Sequence, residues 1–238
     1  MRSWRAPLVL ILTLPALLTS EFGASAADTT LAAVLARIDE TAAKFKGLSA
    51  DVKKVSYTAV INEETTDTGT VLVRRPKAND LRVRMDILQP DPKTVVIEGH
   101  KADIYYPRSG EVQVVDLGKQ SSLVDQFLVL GFGSNSRELA SAYSIRMVGP
   151  EAAAGEKTTR LELIPKDQDV LAHLKKVELW ISDGKGIAVQ QKFYEPGGDF
   201  ILATYTNIQM NPSISDSAFN LPKGAHKASK KKPELDHK

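Results

Sequence analysis

From Leu81 to Leu88 apolar and polar residues alternate. Leu81, Val83, Met85 and Ile87 fall on one side, and Arg82, Arg84 and Asp86 on the other. A period of two marks a strand with one buried face. Looser versions occur at Asp51–Ile61, with Val55, Tyr57, Ala59 and Ile61 in line, and at Gly69–Arg75. Short strands are predicted at Thr94–Glu98, Ala102–Tyr106 and Glu111–Leu117. The pattern resumes at Tyr143–Val148, Lys157–Ile164, Lys175–Ser182, Ile187–Tyr194 and Phe200–Met210. Turn residues separate them: Asn62–Thr68, Gly99-His100-Lys101, Pro107–Gly110, Asp183–Gly186 and Pro196–Asp199. Short strands joined by short turns make an antiparallel meander, and ten or so strands in one sheet curl into a closed or partly closed barrel.

Two stretches follow a helical period instead. Leu31, Val34, Leu35, Ile38, Ala42 and Phe45 line one face of a helix that Thr29 or Thr30 can cap and that Gly47 is placed to end. In mid-sheet, Ser121–Phe132 is apolar nearly all round, with Ser122 and Asp125 at capping-box spacing and Gly131 and Gly133 as candidate hinges. A further short helix is predicted over Arg137–Ala142, with Asn135 and Glu138 at the same spacing. The apolar segment reads either as a core plug between two halves of a barrel or as a movable lid over an apolar cavity.

The ends of the chain differ from its middle. Arg2 and Arg5, the apolar run Leu8–Leu18 and the small residues Ala24-Ser25-Ala26 form a secretory signal, with cleavage expected between Ala26 and Ala27. That run is short for a membrane span. From Lys223 to Lys238 six lysines face two acids with almost no apolar residue, a composition that cannot bury a core. The expected organisation is therefore a signal over 1–26, one domain over 27–222 and a disordered lysine-rich tail over 223–238. The whole chain carries +2, the signal +1 and the tail +4, which leaves −3 on the domain. The basic excess lies outside the fold, so it does not argue for a nucleic-acid surface.

Candidate chemistry is sparse. With no cysteine there is no disulfide, no thiolate metal site and no acylated N-terminal cysteine. The four histidines, His100, His173, His226 and His237, show no metal-ligand spacing. Glu63-Glu64 reads as a solvated pair in a turn, and no nucleophile elbow is present. Neither an enzyme nor a cofactor is expected. One arrangement does stand out. Gly69-Thr-Val-Leu-Val-Arg-Arg-Pro76 is a strand that ends on two arginines. By alternation Val71, Val73 and Arg75 share a face, and a one-residue slip would put Arg74 there instead. An arginine in line with buried valines needs partners for its hydrogen bonds, or must reach water at the rim.

With these residues in view, the chain resembles the LolA and LolA-like periplasmic outer-membrane lipoprotein carriers from about Leu31 to Gly224. The resemblance rests on an ordered set: the N-terminal helix followed by Leu48-Ser-Ala-Asp51, Gly69 with the strand ending Arg-Arg-Pro76, Gln89-Pro90, and Val95 through Gly99 to Tyr105-Tyr106-Pro107. Leu161-Glu-Leu-Ile-Pro165, Asp183-Gly-Lys-Gly186 and Phe219-Asn-Leu-Pro-Lys-Gly224 complete it. It implies a mainly β fold with some α: an unclosed antiparallel barrel of about eleven strands, with an N-terminal helix and short helices as a lid over an apolar cavity. It implies a monomeric carrier, soluble in the periplasm, that takes acylated lipoproteins from an inner-membrane ABC transporter to an outer-membrane acceptor. The cavity wall then falls on Val71, Val73, Leu81, Val83, Met85 and Ile87. The lid falls on Leu123, Phe127, Leu128, Leu130 and Phe132. Arg75 occupies the place of the family arginine that bonds lid backbone in the empty form.

The strand after the Arg-Pro motif is rich in aromatics in that family, whereas here it reads Leu-Arg-Val-Arg-Met-Asp-Ile, and aromatics make up only 6% of the chain. An aliphatic wall keeps open a carrier of phospholipid or another hydrophobic ligand, and an envelope lipid or stress sensor module.

Overall fold

The computed structural model describes residues 30–75, 77, 80–117 and 130–227. Helix α1 (Leu31–Lys44) is followed by β1 (Gly47–Thr58), β2 (Glu63–Arg74), β3 (Arg82–Gln89), β4 (Lys93–Glu98), β5 (Lys101–Tyr106) and β6 (Glu111–Asp116). Helix α2 (Ser136–Ala142) leads into β7 (Tyr143–Ala153) and β8 (Glu156–Pro165). The one-turn helix α3 (Gln168–Leu171) precedes β9 (Lys176–Ser182), β10 (Ala188–Tyr194) and β11 (Phe200–Met210). A 3-10 turn (Asp216–Phe219) and a two-residue β12 (His226–Lys227) follow.

One sheet contains them all, in the order β12-β6-β5-β4-β3-β2-β1-β11-β10-β9-β8-β7. The eleven long strands pair antiparallel, and β12 runs parallel to β6. β7 and β12 end the order without meeting, so the barrel stays open. Register shifts in β1, β2–β3, β7 and β9–β10 add the local twist that curls so wide a sheet.

Helix α1 fills one half of the concave face. Val34 and Ile38 are buried against Leu161, Leu163, Val177, Leu179 and Ile181 of β8 and β9. Full burial of such side chains is worth about 1.5–3 kcal/mol each. Thr30 caps the helix by accepting from the Ala33 amide at 3.2 Å. The Ser136 amide and hydroxyl both donate to Asp39, each at 2.6 Å, which ties α2 to α1. Asn135 and Glu138 form the reciprocal capping box at the head of α2. Gly186 lets the β9–β10 turn close on α1, since a Cβ there would lie 2.6 Å from the Arg37 carbonyl oxygen.

The convex face of β3 is not left to water. Arg84 donates to the carbonyls of Ala218 and Asn220, both at 3.0 Å, and Arg82 reaches Asp216 at 3.0 Å. Beside them, burial pushes the Asp86 carboxyl up, but hydrogen bonds from Arg84 and Thr94 outweigh it and hold the carboxyl below the usual range. The polar side of the clean alternation thus binds a C-terminal strap.

Three local expectations change. α1 stops at Lys44 with Phe45 already extended, so Gly47 does not end the helix. It opens β1, where a Cβ would lie 2.3 Å from the Val73 carbonyl oxygen. The polar stretch 62–68 is mostly strand: β2 starts at Glu63 and pairs with β1 throughout, the turn lying at 59–62. Thr65, Thr66 and Thr68 suit an exposed strand. Residues 130–133 form a turn, so no helix reaches Phe132; the remainder of the expected segment, including Leu123, Phe127 and Leu128, lies outside the described residues.

Gly69 sits at the β2–β3 register shift, and a Cβ there would lie 1.9 Å from the Asp86 carbonyl oxygen. Gly69→Val should lower unfolding free energy by about 1–3 kcal/mol, read from urea denaturation. An unchanged midpoint would contradict this packing.

Candidate ligand-binding site

The half of the concave face that α1 leaves free is hollow. A cavity of about 410 Å³ lies over β1, β2, β3, β10 and β11. That is within the roughly 300–1,000 Å³ usual for small-ligand sites. Its wall is Val52 of β1, Val71 and Val73 of β2, Val83 and Met85 of β3, Phe193 of β10, and Ile201, Ala203 and Tyr205 of β11. Register explains the company: Val71 stands opposite Met85, and Val73 opposite Val83, so these four share one face.

The turn Leu130–Gly133 shuts one end of this cavity. Phe132 enters the lining, its ring edge-on to Tyr205 at 4.9 Å and 82°. The backbone of the turn is held at three carbonyls. Gln191 Nε2 donates to Leu130, the Ala188 amide to Gly131 at 2.7 Å, and Arg75 Nη2 to Gly133 at 2.9 Å. Gln191 is itself fixed by the Tyr205 hydroxyl, which donates to its Oε1 at 3.1 Å. The glycines are packed tightly. A Cβ on Gly131, whose φ is +79°, would lie 2.5 Å from Ala188 Cβ, and one on Gly133 would lie 2.7 Å from the Phe45 ring.

The two arginines at the end of β2 part company. Arg74 pairs with Asp216 on the convex side. Arg75 turns to the closed end, donates to Gly133 and stands 5.6 Å from the centroid of the Phe45 ring. The other end of the cavity is polar. Lys54, His173 and Glu195 line it together with Leu174. The Lys54 ammonium is 2.7 Å from Asp67.

Of the residues singled out from the sequence, Val71, Val73, Val83, Met85 and Phe132 line the cavity. Leu81 is buried in the same cluster without lining it. Ile87 is buried but does not line it either. Leu130 belongs to the other cluster, under α1. Ala26 and Ala27 lie outside the described residues. Sequence reasoning missed Gln191 and Tyr205, and the polar mouth. Phe193 and Ile201 were signalled only as strand residues. Among the described residues no cluster of His, Asp and Glu could hold a metal ion, and no helix is long and apolar enough to cross a membrane.

An unclosed antiparallel sheet wrapped round an apolar hollow defines a fold for carrying hydrophobic ligands. The chain belongs to the LolA family: the family's sequence model, described as "Outer membrane lipoprotein carrier protein LolA", matches residues 43–222. No curated protein sequence matches the chain. Among solved structures it is similar to MucB, with 17% identity and a TM-score of 0.51 over 81% of this chain and 63% of that one. The chain thus spans less than two thirds of MucB's length. It is also similar to an uncharacterized conserved protein from Thermus thermophilus, with 14% identity and a TM-score of 0.52 over 82% of this chain and 96% of that one. At such identities these likenesses concern the fold.

Burial pushes the Tyr205 phenol well above the ordinary tyrosine value of 10.0. The folded state therefore holds this proton more tightly than the unfolded chain does. That contribution is complete below the unfolded value and drains away as pH rises beyond it. Tyr205→Phe should flatten the alkaline fall in urea stability and lower neutral-pH stability by about 1–2 kcal/mol through the lost bond to Gln191. An alkaline slope equal to that of the parent would contradict the burial of this hydroxyl.

Proposed function

We propose that the protein is a periplasmic carrier that binds the acyl chains of lipoproteins in this cavity and moves lipoproteins from the inner to the outer membrane. The observation that carries the reading is the cavity: an aliphatic and aromatic hollow, closed at one end and polar at the other, in a chain of the LolA family. Burying an acyl chain yields about 0.8 kcal/mol per methylene, so one chain gains several kcal/mol even when only partly enclosed. On this reading the chain is made with a signal over 1–26, cut before Ala27, and works as a monomer with a lysine-rich tail over 223–238, near whose start His226–Lys227 pair with β6. It receives cargo from an inner-membrane ABC transporter and gives it to an outer-membrane acceptor.

A carrier must also release, and Arg75 is the proposed latch. Its bond to Gly133 is a charged hydrogen bond, worth about 1.5–3 kcal/mol when shielded from water. If that bond exists only in the empty form, it narrows the gap between loaded and empty states, which eases transfer. A second reading is a carrier of phospholipid or another single lipid. The polar mouth favours it, because a small amphiphile would place its head there.

Native mass spectrometry of the protein purified without detergent tests both. A mass increment of an acylated polypeptide is the expected result, one of lipid size supports the second reading, and a bare protein that ignores an added acyl probe contradicts both. Arg75→Leu should still bind a fluorescent acyl probe yet pass it to acceptor membranes more slowly. Transfer at the parental rate would remove the latch.

A further inference from the structure

The mouth of the cavity is charged in an uneven way. Along the concave face the wall runs from Val73 and Phe132 at the closed end to Lys54, His173 and Glu195 at the other. Lys54 stands directly opposite Asp67 across the β1–β2 ladder, and the two form a salt bridge at 2.7 Å. Their charges cancel. Glu195 directly follows β10, two residues beyond Phe193 on the same face. Among the described residues it has no ion-pair partner.

Of the lysines near Glu195, Lys176 and Lys192 are engaged on the opposite face, while Lys175 is exposed and, among the described residues, forms no salt bridge with Glu195. Lys176 bonds Glu162 at 3.0 Å and Glu178 at 2.8 Å. Lys192 stands over the rings of Tyr194 and Phe200, at 4.8 Å and 3.7 Å from their centroids. The Lys175 amide donates to the Tyr194 carbonyl, which sets residues 173–174 beside Glu195. The mouth therefore offers a carboxylate, partly shielded from water, that forms no salt bridge among the described residues, at the edge of an apolar hollow. His173 adds an imidazole to the same end. A half-buried carboxylate without a counter-ion binds a cation more strongly than one free in water.

We infer that Glu195 forms a head-group subsite for an ammonium, so that the preferred ligand is an amphiphile whose acyl part fills the cavity and whose amine sits at the mouth. This rests on the carrier reading above. Two sources share the chemistry: the head of an aminophospholipid, and the free N-terminal amine of a diacylated polypeptide. A head of net negative charge meets repulsion from Glu195, and Lys54 is held by Asp67.

The test is displacement of a fluorescent acyl probe from the whole mature protein. The competitors are dioleoylphosphatidylethanolamine, a synthetic diacylated lipopeptide with a free amine, and the N-acetylated form of each. At least one free amine should compete about tenfold better than its acetylated form, the size of one shielded charge-assisted contact. The source is the one showing the larger ratio. Glu195→Gln should bring that ratio towards one, and Glu195→Asp should restore part of it. Equal competition by amine and acetylated forms in the parent overturns the subsite and leaves the apolar cavity standing. A ratio that survives Glu195→Gln overturns the assignment to this residue. Failure of the acyl probe itself to bind overturns the carrier reading, and the subsite with it.

Discussion

The structure turns on how the carbonyls of Leu130–Gly133 are satisfied. A buried turn cannot leave its backbone acceptors empty without a cost of about 1–3 kcal/mol each. Three of these four carbonyls are met from three places: the Gln191 side chain on the floor of the sheet, the Ala188 amide at the start of β10, and the Arg75 guanidinium beyond the end of β2. Gly131 and Gly133 admit the close approach because neither has a Cβ to collide with Ala188 or Phe45. The turn therefore caps one end of the curled sheet and carries Phe132 into the hollow. With α1 filling the half over β8 and β9, what remains is a cavity bounded by β1, β2, β3, β10 and β11.

The same logic separates the two arginines. Arg74 belongs to the convex side, where it shares Asp216 with Arg82, and Arg84 donates to the carbonyls of the strap. Arg75 belongs to the closed end. Adjacent residues at the end of one strand thus tie down two different segments, the strap after β11 and the turn before α2. The apolar wall between them needs no polar partner except Tyr205 and Gln191, which satisfy each other.

Much of this was legible in the chain. Alternation put Val83 and Met85 on one face of their strand and Val71 and Val73 on one face of theirs, and the family resemblance made both faces the cavity wall. Thr30, Asn135 and Glu138 marked helix starts that the structure shows. The polar half of β2 was not legible as strand, because it pairs only with β1 beyond the reach of β3 and so has no buried face to impose a period. Nor could periodicity tell wall from core. Leu161, Leu163, Val177 and Leu179 alternate like the wall residues, yet α1 covers them. Gln191 and the mouth group depend on pairing across distant strands, so no local pattern announces them. His173, which in the sequence showed only a lack of metal-ligand spacing, lies beside Leu174 at the cavity.

The central claim is that ligand enters the uncovered half of the concave face and not the half under α1. Methyl-resolved NMR during titration with a deuterated acyl ligand tests it most directly. The account predicts shifts at the methyls of Val71, Val83, Met85 and Ile201, with Leu161, Leu163 and Val177 little changed. Shifts centred on the second group, or none in the first while ligand binds, would contradict it.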